Sequence, residues 1–246
     1  MINVVIGTEE NQLIPQKVLE HSIRQHSNSE LDIRSVTQQE SRIGGTKFGF
    51  VRFHVPNIFN YQGKAIYLDA DQVVLADLQE LLDTLDSNHL LGLVENLVGF
   101  FGDKPVPKRK ETSVMVLNCD QLKDWQPETL FNNVVPNDSV LEPGQIQYRD
   151  FMWVKWIDDD KIQQLESSWN HFNVLREDTK LIHFSHVASQ PWKNPDHPLT
   201  EFWSQWLVAT LESGSLEVKD LRRAIRKKHL HPYFRKYCPR KLLFFI

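Results

Sequence analysis

The stretch GKAIYLDADQVVL, residues 63–75, constrains the fold of this chain more than any other part of the sequence. Its apolar residues 65–68 predict a buried strand, and two acids, Asp69 and Asp71, follow directly. Side chains alternate along an extended chain, so both carboxylates point the same way if the strand continues. Carboxylates that share one space repel each other unless a cation offsets the cost. The motif therefore predicts a site for a hard divalent cation such as Mg²⁺ or Mn²⁺, although a solvated turn would show the same residues.

Segments typical of strands alternate with segments typical of helices along the whole chain. The predicted strands are 2–6, 31–36, 65–68, 89–95 and 113–118, and the predicted helices are about 15–25, 78–85, 200–211 and 216–229. This alternation predicts an α/β fold with a central sheet flanked by helices. In such folds ligands bind outside the carboxyl ends of the strands, which is where the two acids fall.

Composition and charge restrict the compartment and the partners. The two cysteines among 246 residues are far apart, and no apolar run approaches the ~20 residues that span a bilayer. The amino terminus resembles a first strand rather than a signal peptide. We therefore expect a cytoplasmic protein, and peripheral attachment at the inner face of a membrane is the more specific location that the sequence suggests.

The carboxyl-terminal segment is strongly basic. Residues 218–246 hold ten Lys or Arg and one acid, although the whole chain has a net charge of −4. We expect residues 1–215 to form the main domain and residues 216–246 a basic amphipathic extension. The extension is predicted to bind an anionic membrane surface, with apolar residues dipping into it. The alternatives are packing on the acidic body of the same or a second chain, and nucleic acid, which is not expected because no known motif is present.

Four separated pieces of sequence occur in the order and spacing of a known enzyme family. They are VVIGTEE at the first strand, Arg52 at 17 residues before Asp69, IYLDAD itself, and the late segment IHFSHVASQPW. They span residues 2–193 and resemble glycosyltransferase family 8, which includes glycogenin and bacterial lipopolysaccharide galactosyl- and glucosyltransferases. The resemblance implies a GT-A fold with a Rossmann-like mixed sheet. It also implies a retaining, Mn²⁺-dependent transfer of a hexose from a UDP-sugar to a glycan or lipid-linked acceptor.

The resemblance also implies roles for individual residues. Asp71 and His183 would bind the metal, and Asp69 would contact the metal or the ribose. His186 is a competing ligand for the position of His183. The residues matched to the nucleotide-sugar site are Ile6, Gly7, Thr8, Glu9, Arg52, Asp69, Ala70, Asp71, His183, His186 and Gln190. Those matched to the catalytic, sugar-facing patch are Gln147 and Asp150.

The chain departs from the family at several of these positions. Gln190 stands where the family has a lysine that touches the diphosphate, and Ile146 stands where it has an acid. Lys193 or Lys47 would have to supply the missing cation. A glycine pair at 44–45 predicts a mobile loop before Arg52. These departures leave open a domain that binds a nucleotide-sugar without turning it over.

A phosphatase of the haloacid dehalogenase type is the alternative enzyme class. The segment DADQV also matches the D-x-D-x-V pattern, in which the first aspartate, here Asp69, is the nucleophile. Residues 158–160, all aspartates, could be offered as the later acidic pair of that class. However, that family usually carries its motif on the first strand, whereas here a strand–helix–strand unit precedes it.

Overall fold

A computed structural model describes residues 1–37 and 49–238 of the chain, with the side chain of Glu128 excepted. The predicted loop at residues 44–45, Lys47 and residues 239–246 of the predicted extension lie outside this part. Thirteen strands occur in the described residues, and they are β1 Ile2–Gly7, β2 Leu31–Val36, β3 Lys64–Asp69, β4 Gln72–Val74, β5 Leu91–Val94, β6 Val98–Phe101, β7 Lys104–Pro105, β8 Glu111–Asn118, β9 Val134–Val135, β10 Ile146–Gln147, β11 Ile162–Gln164, β12 His171–Phe172 and β13 Leu181–His183.

Helices connect and cover these strands. In the described part of the chain the α-helices are α1 Leu13–His26, α2 Val51–Ile58, α3 Leu78–Asp83, α4 Pro127–Leu130, α5 Tyr148–Met152, α6 Thr200–Glu212 and α7 Val218–Arg226. Short 3₁₀ helices span Glu10–Gln12, Cys119–Gln121, Asp159–Lys161, Ser167–Asn170, Val187–Ser189 and Pro232–Tyr237. The five predicted strands and the predicted helices at 15–25, 78–85 and 200–211 are confirmed within a few residues.

A mixed six-stranded sheet forms the centre of the fold, with the strand order β11-β5-β8-β3-β1-β2. Strand β1 pairs in parallel with β2 and β3, whereas β8 runs antiparallel to both β3 and β5. The carboxyl ends of β1 and β3 and the amino end of β8 therefore lie at one edge of the sheet. This geometry confirms the predicted α/β class and places the end of the Asp-x-Asp strand beside the end of the first strand.

A second, smaller sheet adjoins that edge, with the strand order β4-β13-β12-β6-β7. Strand β4 begins directly after Asp71 and runs antiparallel to β13, so that Gln72 lies opposite His183. The late histidine is therefore carried back to the acid pair by strand pairing, across more than 100 residues of sequence.

Both faces of the inner strands β1, β3, β5 and β8 are buried, as expected for near-continuous apolar strands, whereas the edge strand β2 is half-buried to exposed. Val5, Tyr67 and Met115 lie in one core cluster with residues of α2 and α5. Alternate positions such as Ile6 and Leu68 lie in a second cluster with α1 and α3. This alternation on adjacent strands fixes the register of the sheet, since a slip of one residue would exchange the two sides.

The carboxyl-terminal segment packs against the rest of the chain. Leu221, Ile225 and Phe234 are buried in a third cluster, which also contains residues of α1 and α6. Helix α7 spans nine residues and is shorter than the predicted helix 216–229, because Lys228 takes a left-handed conformation with φ of 61°. The division of the chain at residue 215 stays a prediction. No helix in residues 1–37 or 49–238 combines the length and the apolar composition that a membrane span requires.

Candidate active site

The candidate site lies at the edge where β1 and β3 end. Gly7 pairs with Asp69 in the parallel register, and the amide of Ala70 donates to the carbonyl oxygen of Gly7 at 3.1 Å. The chain then continues into Thr8 and Glu9 on one side and Asp71 on the other. The two sequence segments that were predicted to meet the nucleotide-sugar are thus adjacent.

Asp69, Asp71 and His183 converge at this edge. One ligand atom from each lies within 4.8 Å of the other two, and all three side chains are buried. Oxygen ligands lie about 2.0–2.6 Å from a divalent cation, so two ligands of one ion are separated by about 5 Å at most. The separations in this cluster therefore suit a single ion. The sequence-based grouping of these three residues holds in space, and His186 is not part of the cluster.

Buried partners orient the imidazole of His183. Its Nδ1 lies 3.2 Å from Asn170 Oδ1 and 3.2 Å from Ser113 Oγ, and Asn170 Nδ2 donates to Ser113 Oγ at 3.1 Å. Because the Asn170 oxygen is an acceptor, Nδ1 is the protonated nitrogen and Nε2 is left to face Asp71. Outer partners of this kind fix the tautomer of metal-binding histidines. Asn170 was not predicted from the sequence, which contains no local signal for it.

Gln190 donates a hydrogen bond to the carboxylate of Asp71. Gln190 Nε2 donates to Asp71 Oδ2 at 2.9 Å and to the carbonyl oxygen of Phe184 at 3.0 Å, and its side chain is fully buried. The other carboxylate oxygen, Asp71 Oδ1, lies 3.3 Å from His183 Nε2. Gln190 thus orients the carboxylate in this structure and does not line the cavity described below.

The residues present fit a divalent cation. Asp71 Oδ1 is buried with no hydrogen-bond donor in the described part of the chain. An oxygen and a ring nitrogen that face each other need a proton or a metal ion between them. Burial lowers the pKa of His183, but the negative charge of Asp71 outweighs this effect and raises it overall. A cation bound between the two groups would satisfy both.

Asp69 belongs to a buried ion pair. Arg52 Nη2 donates to Asp69 Oδ1 at 2.9 Å, and Arg52 Nη1 donates to Thr112 Oγ1 at 2.6 Å. Burial raises the pKa of Asp69. The positive charge of Arg52 lowers this pKa and the negative charge of Asp71 raises it, and the overall result is a raised pKa. Burial also acts to lower the pKa of Arg52, but the negative charges around it, Asp69 first, raise it overall. The site thus brings one fixed positive charge to the acid pair.

Tyr67 supports the same carboxylate. Its hydroxyl donates to Asp69 Oδ1 at 2.6 Å, and burial raises the pKa of this phenol well above its usual value. The ring lies so close to β1 that a Cβ on Gly7 would meet Tyr67 Oη at 2.1 Å. Gly7 is therefore needed for packing of this tyrosine. Tyr67 was missed by the sequence analysis, although it lies two residues before Asp69 and hence on the same side of β3.

A cavity of about 250 Å³ opens over the cluster. It is lined by Asp69, Asp71, His183 and Arg52, and also by Glu9 and Lys193. Burial lowers the pKa of Lys193, and the charges of Asp71 and Glu9 partly offset this effect. Of the two residues offered as the missing cation, Lys193 therefore lies at the site. The remaining residues of the lining are Asn11, Gln12, Phe101, Arg109, Glu111, Phe172, Ser185 and Val187.

Several predicted site residues lie apart from this cavity. Gln147 donates to the carbonyl oxygen of Ser139 at 3.2 Å, and Asp150 pairs with Lys155 at 2.8 Å. The structure does not bring either of them to the cavity lining. The side chains of Ile6 and Ala70 are buried in the core cluster beneath the site, so only their backbone is available to a ligand.

Comparison with known proteins assigns the fold and the family. The model of glycosyl transferase family 8 matches residues 4–195. The chain therefore belongs to glycosyl transferase family 8, a family of glycosyltransferase enzymes. A curated relative, Protein CDI of Arabidopsis thaliana, is 24% identical over 228 residues, which cover 83% of this chain and 84% of that protein.

Solved structures agree on the architecture. The galactosyltransferase LgtC, determined with donor and acceptor sugar analogues, superimposes with a TM-score of 0.58 at 14% identity over 87% of this chain and 100% of LgtC. The bifunctional glycosyltransferase WbbM gives a TM-score of 0.58 at 15% identity over 84% of this chain. This chain spans about half of WbbM, 49% of its length. The predicted GT-A fold is confirmed by these neighbours.

The phosphatase alternative finds no support in the geometry. Asp159, from the acid run offered for that chemistry, pairs with Lys110 and lines a different pocket. Asp69, the required nucleophile, is instead bound by Arg52 and Tyr67. The family assignment and these contacts together exclude that reading of DADQV.

Proposed function

We propose that this chain transfers a hexose from a UDP-sugar to a glycan or lipid-linked acceptor, with Mn²⁺ or Mg²⁺ bound by Asp69, Asp71 and His183. The observation that carries the proposal is the convergence of these three side chains in one cavity with Arg52 and Lys193. When bound, the cation would neutralise the charge that develops on the departing diphosphate. The family resemblance implies that the configuration at the sugar is retained.

The protein residues would position the donor. The guanidinium of Arg52 lines the cavity, and its Nε is buried without a hydrogen-bond partner in the described residues, so a phosphate oxygen could accept from it. Lys193 lines the same cavity, close enough to Asp71 and Glu9 for their charges to act on it, and its ammonium would contact the diphosphate. Thr8 and Glu9, at the end of β1, would contact the base or the ribose.

The departures from the family take on definite roles in this proposal. With Gln190 committed to Asp71, Lys193 would be the residue that replaces the missing lysine. A catalytic, sugar-facing role of Gln147 and Asp150 stays a prediction, and so does contact of His186 with the nucleotide-sugar. A domain that binds the donor without turnover remains the second candidate, because the sugar-facing patch lies away from the cavity.

Thermal unfolding with UDP and Mn²⁺ tests the proposal. A ligand that binds only the native state stabilises by mass action, by about 2.7 kcal/mol at 100 times its Kd. We expect UDP and Mn²⁺ together to raise the Tm, and Asp71→Asn to abolish the metal-dependent part of this shift. Asp160→Asn is the matched control, because it makes the same change at an exposed aspartate to which the proposal gives no part in binding. Hydrolysis of a panel of UDP-sugars, measured next, distinguishes an enzyme from a binder.

Each outcome has a clear meaning. A metal-dependent shift with sugar release supports the transferase, and a shift without release or transfer supports the non-catalytic binder. An equal shift in wild type and Asp71→Asn would end the metal assignment. No shift with UDP and either metal in the wild type would refute the proposal as a whole.

The membrane contact that we propose differs from the one predicted from the sequence. The apolar side of α7 is buried against the chain itself, so it is not available to dip into a bilayer. We infer that the described part of the basic extension, residues 216–238, would contact an anionic membrane surface through its charges. It would use exposed cations such as Arg222, Arg226 and Lys228. A cytoplasmic location at the inner face of a membrane is proposed on the same basis.

A further inference from the structure

One wall of the site cavity is apolar and partly exposed. Phe101 and Val187 line the cavity beside the polar cluster, with 47% and 54% of their surfaces exposed. Phe172, also in the lining, is buried and packs edge-on against His183 with ring centroids 4.6 Å apart. Large apolar side chains at a cavity mouth lose free energy to water unless a ligand covers them.

This wall is held in place by several contacts. Phe101 packs edge-on against the ring of His186 at 4.9 Å, and His186 Nδ1 lies 2.7 Å from Ser189 Oγ. The hairpin that carries Phe101 is tied to β12, since Asn173 Nδ2 donates to the carbonyl oxygen of Phe100 at 2.8 Å. A Cβ on Gly99 would lie 1.9 Å from the carbonyl oxygen of Phe172, so the close approach of the two strands requires glycine.

Polar groups stand beside the apolar wall in the same cavity. Arg109 and Glu111 pair at 2.9 Å, and both line the cavity. The hydroxyl of Ser185, also in the lining, is buried and has no hydrogen-bond partner in the described residues. A pyranose ring presents an apolar C–H face and a rim of hydroxyl groups. An aromatic wall with adjacent hydrogen-bonding groups matches both.

We propose that Phe101, Val187 and the Arg109–Glu111 pair form the acceptor subsite, which receives the terminal pyranose ring of the acceptor saccharide. This inference rests on the proposed function. The donor diphosphate belongs with the buried polar end of the cavity, where Asp71 and His183 lie, and the exposed rim is left for the second substrate. The C–H face of the ring packs on Phe101, and its hydroxyls bond to Arg109, Glu111 and Ser185.

The neighbouring phenylalanine supplies a matched control. Phe100 and Phe101 are consecutive residues of β6, are exposed to 46% and 47%, and project to opposite sides of the strand. Of the two, only Phe101 appears in the lining of the cavity. Phe100→Ala and Phe101→Ala each remove one phenyl ring from the same hairpin. The two variants therefore differ only in the side of β6 that loses its ring.

The test measures contact of simple sugars with the loaded protein. Methyl glycosides of glucose, galactose, mannose, xylose and N-acetylglucosamine are added to the full chain with UDP and Mn²⁺, and saturation-transfer NMR reports the Kd of each. We expect at least one glycoside to bind through its ring protons. Phe101→Ala should weaken that glycoside about fivefold and Phe100→Ala less than about twofold. The Tm shift with UDP and Mn²⁺ should remain in both variants.

The other outcomes overturn the inference. Binding of none of the glycosides, with the UDP and Mn²⁺ shift present, refutes the acceptor subsite and leaves the proposed function standing. Equal weakening by both variants shows a general apolar patch, such as a membrane or protein contact. Loss of the UDP and Mn²⁺ shift in Phe101→Ala places this residue in the donor site instead. If the wild type shows no such shift, the proposed function has failed first.

Discussion

The active-site edge and the carboxyl-terminal segment both join charged and apolar residues, but in opposite arrangements. At the edge the charges point inward, and Asp69, Asp71 and His183 are exposed to 8%, 6% and 4%. In the segment 218–238 the charges point to solvent and the apolar residues point inward. A buried charge is costly without a partner, whereas a solvated one is not. Burial of the charge, rather than its presence in the sequence, therefore marks the site that needs a ligand.

The two regions are also in contact. Trp192 lies two residues after Gln190, and its ring packs against Trp203, which in turn packs against Phe234. The amide of His231 donates to the carbonyl oxygen of Trp192 at 2.7 Å. The carboxyl-terminal segment thus supports the turn that carries Gln190 and Lys193. Its packing and the ion pair of Lys227 with Glu10, the neighbour of the cavity residue Glu9, both connect it to the site.

The largest expected effect comes from the apolar side of the segment. Phe234 is fully buried, so Phe234→Ala should lower the free energy of unfolding by about 3–5 kcal/mol. The adjacent Tyr233 is 36% exposed, and Tyr233→Ala should have a much smaller effect. Urea unfolding followed by tryptophan fluorescence compares the two variants. Similar stability of wild type and Phe234→Ala would show that the segment does not share the core.

A smaller effect is expected behind the metal ligands. Gln190→Met keeps the volume of the side chain but removes the donor to Asp71 Oδ2. Loss of such an outer partner typically weakens metal binding by about 10–100-fold. Calorimetric titration of Mn²⁺ in the presence of UDP measures this change, with the exposed Gln62→Met as the control. A stronger loss of UDP affinity than of metal affinity would instead indicate direct contact of Gln190 with the diphosphate.

The smallest effect is expected on the basic surface of the segment. Arg226 is exposed, and each such charge adds about fivefold to affinity for an anionic leaflet. Arg226→Gln should therefore weaken binding to phosphatidylserine vesicles by about that factor, and Lys123→Gln, on another exposed surface, should not. Sedimentation with vesicles at low and high salt measures both. Equal binding of all three proteins, or none by the wild type, would argue against an electrostatic membrane contact.

The sequence predicted those parts of the molecule that are encoded locally. The strand before Asp69, the acid pair and the spacing to Arg52 lie within about one strand–helix unit, so pattern and resemblance were enough. Asn170 contacts His183 because β12 pairs with β13, and Gln190 contacts Asp71 because β13 pairs with β4. No local pattern reveals either pairing.

For the basic extension, too, the sequence pattern predicted the local structure but not the long-range contacts. Its amphipathic pattern correctly predicted a helix with one apolar side, but not what covers that side. The aromatic contacts of Trp203 with Trp192 and Phe234 decide this, and they join segments that are far apart in the sequence. The acceptor contact that we propose for Phe101 was not predicted for the same reason, because the position of Phe101 depends on the pairing of β6 with β12.

The proposed function requires that Asp69, Asp71 and His183 bind one divalent cation jointly. Crystals of the full chain grown with UDP and Mn²⁺, measured for anomalous scattering of manganese, test it most directly. We expect one strong anomalous peak from a manganese ion coordinated by Asp71 Oδ1 and His183 Nε2, with Asp69 in contact and the diphosphate completing the coordination. A nucleotide bound in the cavity with no manganese peak beside these side chains, or with the peak elsewhere, would contradict it.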